Sequence, residues 1–186
     1  MARSQKGIFL SQRKYILDLL EETGMLGCKP SDVPIESNHR LGATTKSNLV
    51  NKEQYQRLVE KLIYLCHTNP DITFATGVVR QFMHFSNIEN MEVVFRILKY
   101  LKPSPRKGIL FSKNNHLRVE AYADADLVGS FVDRKSALGY CTFVGGNLVT
   151  WRSKKQPVVA RSSAEAEFRA MTLRICELMW LRMFLM

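Results

Sequence analysis

Two short segments of the sequence carry pairs of carboxylates whose spacing could support metal chemistry. The first segment holds Asp124 and Asp126, and the second holds Glu165 and Glu167. On a strand the two aspartates would face one side, roughly 7 Å apart, whereas on a helix the two glutamates diverge by about 200°. One aspartate and one glutamate converging above a sheet would offer the hard oxygen ligands that magnesium or manganese prefers. The alternative, favoured from spacing alone, is that all four are solvated charges, since the first turn of a helix stabilises Glu.

The elements that must position these carboxylates change in character along the chain. A strand is predicted at 7–10, and a helix capped by Ser11 is predicted from there to Glu22. Residues 28–51 are polar and interrupted by proline and glycine, which predicts a linker. Between 52 and 102 the apolar residues follow the helical period in three runs, which predicts three helices.

After Pro105 the apolar period changes to two, which predicts strands. We expect them at 108–111, 116–125, 136–144 and 148–154, with turns at Asn114-Asn115 and Gly145-Gly146-Asn147. A last helix is predicted to begin after Ser162-Ser163. Its apolar residues cover nearly every direction, so we expect it to be covered on most sides. The stripe expected to face the sheet comprises Ala164, Phe168, Met171 and Ile175, and Glu167 lies slightly nearer its centre than Glu165.

Composition restricts the classes of protein to which the chain can belong. The 186 residues, 46% of them hydrophobic, suffice for one ordinary domain or two small ones. A net charge of +10 favours a polyanionic partner such as nucleic acid. We expect no membrane span, because the most apolar stretch is about half a span long and contains Arg182. No secretory signal is predicted, so we expect an intracellular protein, cytoplasmic or nuclear.

Cysteine and basic residues supply the remaining candidates. The four cysteines lie 35 or more residues apart without a CxxC pair, which argues against both a zinc site and a disulfide framework. A basic stretch that follows Trp151 is usually only a solvated turn, but beside an acidic metal site it could hold phosphates. Its candidate nucleic-acid-binding residues are Arg152, Lys154, Lys155, Gln156 and Arg161.

Several strings of residues resemble one family in the family's own order. Lys6-Gly-Ile-Phe-Leu-Ser-Gln-Arg-Lys-Tyr15 is similar to the end of the reverse transcriptase of copia-type LTR retrotransposons. His67-Thr-Asn-Pro-Asp-Ile72 and Arg96-Ile-Leu-Lys-Tyr-Leu101 resemble the connection region that follows it. Tyr122-Ala-Asp-Ala-Asp126 and Ser162-Ser-Ala-Glu-Ala-Glu-Phe-Arg-Ala170 resemble the start of the ribonuclease H domain. The resemblance covers essentially the whole chain.

This resemblance implies a fold and a division of the chain. The fold would be α+β, with a helical connection segment followed by an incomplete ribonuclease H-like fold of antiparallel strands and one long helix. The parts would be a reverse transcriptase tail (1–27), a linker (28–51), a helical connection region (52–105) and the N-terminal half of a ribonuclease H-like domain (106–186).

The resemblance also implies an activity, which is hydrolysis of the RNA strand of RNA–DNA hybrids with Mg²⁺ or Mn²⁺. By position, Asp124 matches the family's first catalytic aspartate and Glu167 its helical glutamate, so both would be catalytic metal ligands. Asp126 is a secondary candidate for the metal, and Glu165 is expected to be a surface charge.

The chain departs from the family pattern at both ends. The reverse transcriptase palm would lie before Met1, and the third catalytic aspartate would follow Met186. We therefore expect a truncated remnant in which the cleavage activity is lost. One alternative is a non-catalytic, basic nucleic-acid-binding remnant, and another is a decayed copy without function. An open sheet edge and the apolar C-terminal helix further predict self-association.

Overall fold

The computed structural model describes residues 1–36, 41, 50–84, 86–126, 137–156, 159 and 162–185, without the side chains of residues 125, 126, 137, 155 and 173. In these ranges the fold is α+β, with five α-helices and two three-stranded sheets. The chain divides into two compact units. The first comprises Met1–Ala2 and Phe9–Ile109, and the second comprises Arg3–Ile8 and Leu110–Met186.

Four helices build the first unit: α1 (Arg13–Glu22), α2 (Lys52–Leu65), α3 (Thr73–Arg80) and α4 (Ile88–Leu101), with a 3-10 turn at Pro70–Ile72 before α3. The predicted helices are thus confirmed. The predicted cap of α1 is wrong, because Gln12 takes the N-cap position and Ser11 belongs to a strand. α4 begins before its apolar run because the Asn87 side chain accepts a hydrogen bond from the Asn90 amide at 2.8 Å.

The core of the first unit lies between these helices. It is built from the apolar positions that the helical period predicts, including Ile16, Leu19, Leu58, Leu62, Val79, Val94, Ile97 and Leu98. Tyr55 is fully buried among them, and its hydroxyl donates to the carbonyl of Val79 at 2.7 Å. The aromatic ring therefore fills the core while its one polar group is hydrogen-bonded.

The first sheet contains β1 (Ala2–Ser4), β2 (Gly7–Ser11) and β3 (Gly108–Ser112), in the order β1-β2-β3. The sequence places β3 before a turn at Asn114-Asn115 that leads into the next strand, but β3 pairs with β2 instead. Glycine permits this pairing, since a Cβ at Gly108 would lie 2.0 Å from the carbonyl oxygen of Leu10. The Asn114 side chain donates to the carbonyl of Gly145.

The second sheet lies in the second unit and contains β4 (Val119–Asp126), β5 (Ala137–Val144) and β6 (Asn147–Lys155), all antiparallel. The predicted tight turn between the last two strands is confirmed as Gly145-Gly146, whose φ angles are +56° and +74°. The predicted long helix is confirmed as α5 (Ser163–Leu185), which packs on β4.

The predicted sheet-facing stripe of α5 is wrong. Phe168, Met171 and Ile175 are exposed, whereas the face turned to the sheet buries Ala166, Ala170, Arg174 and Leu181. Two alanines let the helix backbone approach the strands closely. A buried arginine at the centre of this face adds polar contacts that an apolar period does not reveal.

Candidate functional site

The docking of α5 determines which side chains share a face of the second sheet. Arg174 contacts the side chains of Tyr140 and Thr142, so these two residues face α5. Their cross-strand partners in β4, Ala123 and Ala121, lie on the same side. Because strand residues alternate between faces, Asp124 lies on the opposite side.

Arg174 is the centre of a buried polar cluster beneath α5. Its guanidinium donates to the carbonyl of Tyr122 at 3.1 Å and to the hydroxyl of Thr142 at 3.5 Å, and its carbon lies 3.8 Å from the centre of the Tyr140 ring. Glu177 balances the charge at 3.6 Å and accepts a hydrogen bond from Thr150 at 2.8 Å. Arg174 is only 6% exposed, and this burial lowers its pKa. The Nε of Arg174 has no hydrogen-bond partner among the described atoms.

These contacts place one turn of α5 over a single row of the sheet. Arg174 reaches Thr142, and Glu177 accepts from Thr150, the cross-strand partner of Thr142. Seven helical residues separate Arg174 from Glu167, so Glu167 lies about 10 Å along α5 from this row.

Both predicted catalytic carboxylates are exposed. Asp124 pairs with Gly139, which has no side chain, so the sheet surface beside it is open. Glu167 lies in the second turn of α5, next to the buried Ala166. Glu165 is half-buried and forms an ion pair with Arg169 at 2.8 Å. Asp126 is the last residue of β4, and its side chain lies outside the described part of the structure.

Two exposed carboxylates provide only part of a metal site. Oxygen donors of this kind suit Mg²⁺ or Mn²⁺, which keep several waters when few protein ligands are available. Nowhere in the described residues do three His, Cys, Asp or Glu side chains stand close enough to hold a metal ion. Asp124 lies on the face of the sheet opposite to α5, which carries Glu167. The described geometry therefore does not bring the two carboxylates together above one face as the sequence predicts, and their role as ligands stays a prediction.

The predicted nucleic-acid-binding residues differ in where they lie. Arg152 and Lys154 are exposed and pair with Tyr140 and Leu138, so they lie on the α5 side of the sheet, opposite to Asp124. Gln156 is 6% exposed. The side chain of Lys155 and the whole of Arg161 lie outside the described residues. Arg152 and Lys154 are therefore the described members of the group that a ligand could reach.

Thiol chemistry finds little support in the structure. All four cysteines are free, and three of them are half-buried while Cys176 is exposed. Burial raises the pKa of Cys66, which keeps its thiol protonated and weakly nucleophilic.

The polar cluster around Arg174 is the feature that sequence reasoning missed. A signal was present, since Arg174 and Glu177 are an oppositely charged pair three residues apart within a run of apolar side chains. On an exposed helix face such a pair is ordinary. Only the docked position of α5 shows that Arg174 is buried.

Comparison with known proteins places the chain among transposon proteins. It is 40% identical over 179 residues to the retrovirus-related Pol polyprotein from transposon RE1 of Arabidopsis thaliana, covering 96% of this chain and 12% of the polyprotein. The corresponding polyprotein from transposon TNT 1-94 of Nicotiana tabacum is 36% identical over 191 residues, covering 98% of this chain and 14% of the polyprotein. A shorter relative, an uncharacterised mitochondrial protein of Arabidopsis thaliana, is 38% identical over 174 residues, covering 94% of this chain and 72% of that protein.

Polyproteins of mobile elements and a shorter protein match nearly the whole chain, and these matches define its class. The chain belongs to the family of retrovirus-related Pol polyproteins from transposons and their shorter relatives. The predicted relationship to retrotransposon polyproteins is thereby confirmed. No family model matches the sequence, and no solved structure matches it. Among the described residues, no helix is both long and apolar enough to cross a bilayer.

Proposed function

We propose that this chain is the part of a copia-type Pol polyprotein that links the reverse transcriptase to ribonuclease H. In this proposal the second unit holds the first three strands and first helix of a ribonuclease H-like fold. Its substrate is an RNA–DNA hybrid. The similarity to transposon Pol polyproteins along 96% of the chain supports the origin of the segment.

The exposure of both carboxylates supports the catalytic part of the proposal. Asp124 lies on β4 and Glu167 on α5, which packs on that strand, and both side chains are open to solvent. Bound Mg²⁺ or Mn²⁺ would supply an activated water and stabilise the leaving oxygen of the RNA strand. By the family resemblance Asp124 and Glu167 would hold the ion, and because Asp124 faces away from α5, the two carboxylates would have to approach each other for this. Asp126 belongs to the same strand end.

A partial ligand set predicts binding with little cleavage. Because the described residues contain no cluster of three possible ligands, we expect the chain to bind hybrid and divalent metal but to cut RNA slowly or below detection. The phosphate backbone of the hybrid would be contacted by Arg152 and Lys154, since both are exposed and basic.

The test measures hybrid binding and RNA cleavage by the purified chain in Mg²⁺ or Mn²⁺. Asp124→Asn and Glu167→Gln should each remove the part of hybrid affinity that depends on metal, together with any cleavage of the RNA strand. Glu165→Gln is the matched control, because it removes a carboxylate from the preceding turn of the same helix and should leave both unchanged. Metal-dependent binding that survives Asp124→Asn and Glu167→Gln would refute the assignment of the ligands.

A second candidate function is nucleic-acid binding without any metal. The net charge of +10 and the exposed Arg152 and Lys154 favour it. In that case the affinity for hybrid would fall steeply with salt, would not change on adding Mg²⁺ or Mn²⁺, and would not respond to Asp124→Asn.

A further inference from the structure

The side of α5 that faces away from the sheet carries a continuous line of large side chains. Phe168, Met171, Ile175 and Met179 are 67%, 54%, 55% and 60% exposed, and Arg182 continues the line. We call these five residues the outer stripe. Steps of three and four residues keep them on one helix face.

The outer stripe is large enough to form a weak interface. A large apolar side chain that is about half exposed presents roughly 100 Å². Two facing copies of its four apolar members would therefore bury on the order of 800 Å², which is the size of a weak, transient protein contact.

The spacing within the outer stripe is symmetric. Moving from Phe168 to Arg182, the steps are three, four, four and three residues, so the sequence positions mirror each other about Ile175. An antiparallel pair of such helices has a two-fold axis at Ile175. Met171 of one copy then faces Met179 of the other, and every member of the stripe meets another member.

The charges at the ends of the stripe select the antiparallel arrangement. A parallel pair would place Arg182 of one copy beside Arg182 of the other, and like charges repel. An antiparallel pair instead places each Arg182 against Phe168 of the second copy and next to its exposed Glu167. Both contacts are favourable, the first as a cation–π interaction and the second as an ion pair.

From these observations we propose that the outer stripe binds a second copy of this chain, antiparallel and with its two-fold axis at Ile175. The surface shares Glu167 with the proposed metal site but does not depend on Asp124. It also sharpens the expected self-association, because it assigns the contact to α5 rather than to the open edge of the sheet.

The first measurement is the mass of the full chain in solution over a range of protein concentrations. Ile175→Asp places a charge on the proposed axis and should weaken dimerisation about tenfold or more. Cys176→Asp is the matched control, because it adds the same charge one residue away on an exposed position outside the stripe. A chain that is monomeric throughout, or a dimer that Ile175→Asp does not weaken, would refute the proposal.

Disulfide trapping tests the geometry independently. In a Cys176→Ser background, Ile175→Cys should form a covalent dimer under mild oxidation, since the two introduced thiols meet on the axis. Met171→Cys should form far less, because each introduced thiol would face Met179 of the other copy. Equal trapping at both positions would indicate a parallel pair and overturn the proposed arrangement.

Discussion

Replacing the buried Arg174 should destabilise the second unit, and the chemically more similar replacement should destabilise it more. Arg174→Lys keeps the charge and nearly the length of the side chain, whereas Arg174→Met removes the charge. We expect the lysine variant to be the less stable of the two. The reason is that the contacts of Arg174 depend on a flat guanidinium group rather than on charge alone.

The magnitudes follow from the contacts. The stacking of the guanidinium on Tyr140 at 3.8 Å is worth about 2 kcal/mol when it is desolvated. Its hydrogen bond to the carbonyl of Tyr122 at 3.1 Å adds about 1.5–3 kcal/mol. Desolvation of the charge and of the unpartnered Nε offsets much of this gain. Arg174→Met loses both the contacts and the penalty, so we expect a cost of about 1–2 kcal/mol.

The lysine variant keeps the penalty and loses most of the contacts. An ammonium group at the same depth cannot stack on Tyr140 as a plane, nor present several donors in one fork. We therefore expect Arg174→Lys to cost about 2–4 kcal/mol in the free energy of unfolding. Glu177 would remain half-buried beside a poorly placed cation.

Tryptophan fluorescence during urea unfolding is a suitable assay, because both tryptophans, Trp151 and Trp180, belong to the second unit. Arg169→Met is the control for loss of an arginine from the same helix. Since Arg169 forms only a surface ion pair with Glu165, its loss should change stability by less than about 0.5 kcal/mol. Wild-type stability of Arg174→Lys, together with a destabilised Arg174→Met, would show that charge alone matters and would refute the reasoning.

Three further predictions concern the turns and the first unit. Gly145→Ala should cost about 2 kcal/mol or more in thermal or urea unfolding, because its φ is +56° and the added Cβ would lie 2.5 Å from a carbonyl oxygen. Gly146→Ala should cost only about 1 kcal/mol, since its nearest neighbour is 3.4 Å away, and equal costs would contradict this account. Burial raises the pKa of Tyr55 above its ordinary 10.0, so above about pH 10 the unfolded state ionises first and the unfolding free energy should fall as pH rises. Tyr55→Phe should flatten that alkaline decline, while costing about 1 kcal/mol at neutral pH through loss of the hydrogen bond to Val79. The hydrogen bond from Lys61 lowers the pKa of Glu22, so its contribution should disappear as pH falls below about 4.5, and Glu22→Gln should make stability less sensitive to acid in that range.

The helices and most strands could be predicted from the sequence because each depends on a local pattern. α2 and α4 follow apolar periods that coincide with their buried faces, and Gly145-Gly146 has the backbone freedom that a tight hairpin requires. The partner of β3 could not be predicted in the same way. Its pairing with β2 joins residues about a hundred positions apart. Gly7 and Gly108 indicate only that another backbone segment lies close to each of them, not which segment it is.

The orientation of α5 was beyond sequence reasoning for a different reason. The apolar residues of this helix occur on all of its sides, so hydrophobic burial favours no single face. Ala166 and Ala170 allow close packing, and the Arg174 cluster supplies specific contacts, but small residues and an arginine are weak signals in a sequence. The positions of Asp124 and Glu167 along their elements could be predicted. The face of the sheet on which Asp124 lies depends on the docking of α5 and became visible only with it.

The pairing of β2 with β3 has a consequence for the order of folding. The hydrogen bonds of β2 to β3 join the start of the chain to a strand that begins at Gly108. During synthesis β2 must therefore wait until all four helices of the first unit have been made. Contacts so distant in sequence form slowly, because a long loop has to close before they contribute. The helices can associate earlier through nearby contacts, so the first sheet should form after the helices of the first unit and exchange its amide hydrogens before they do.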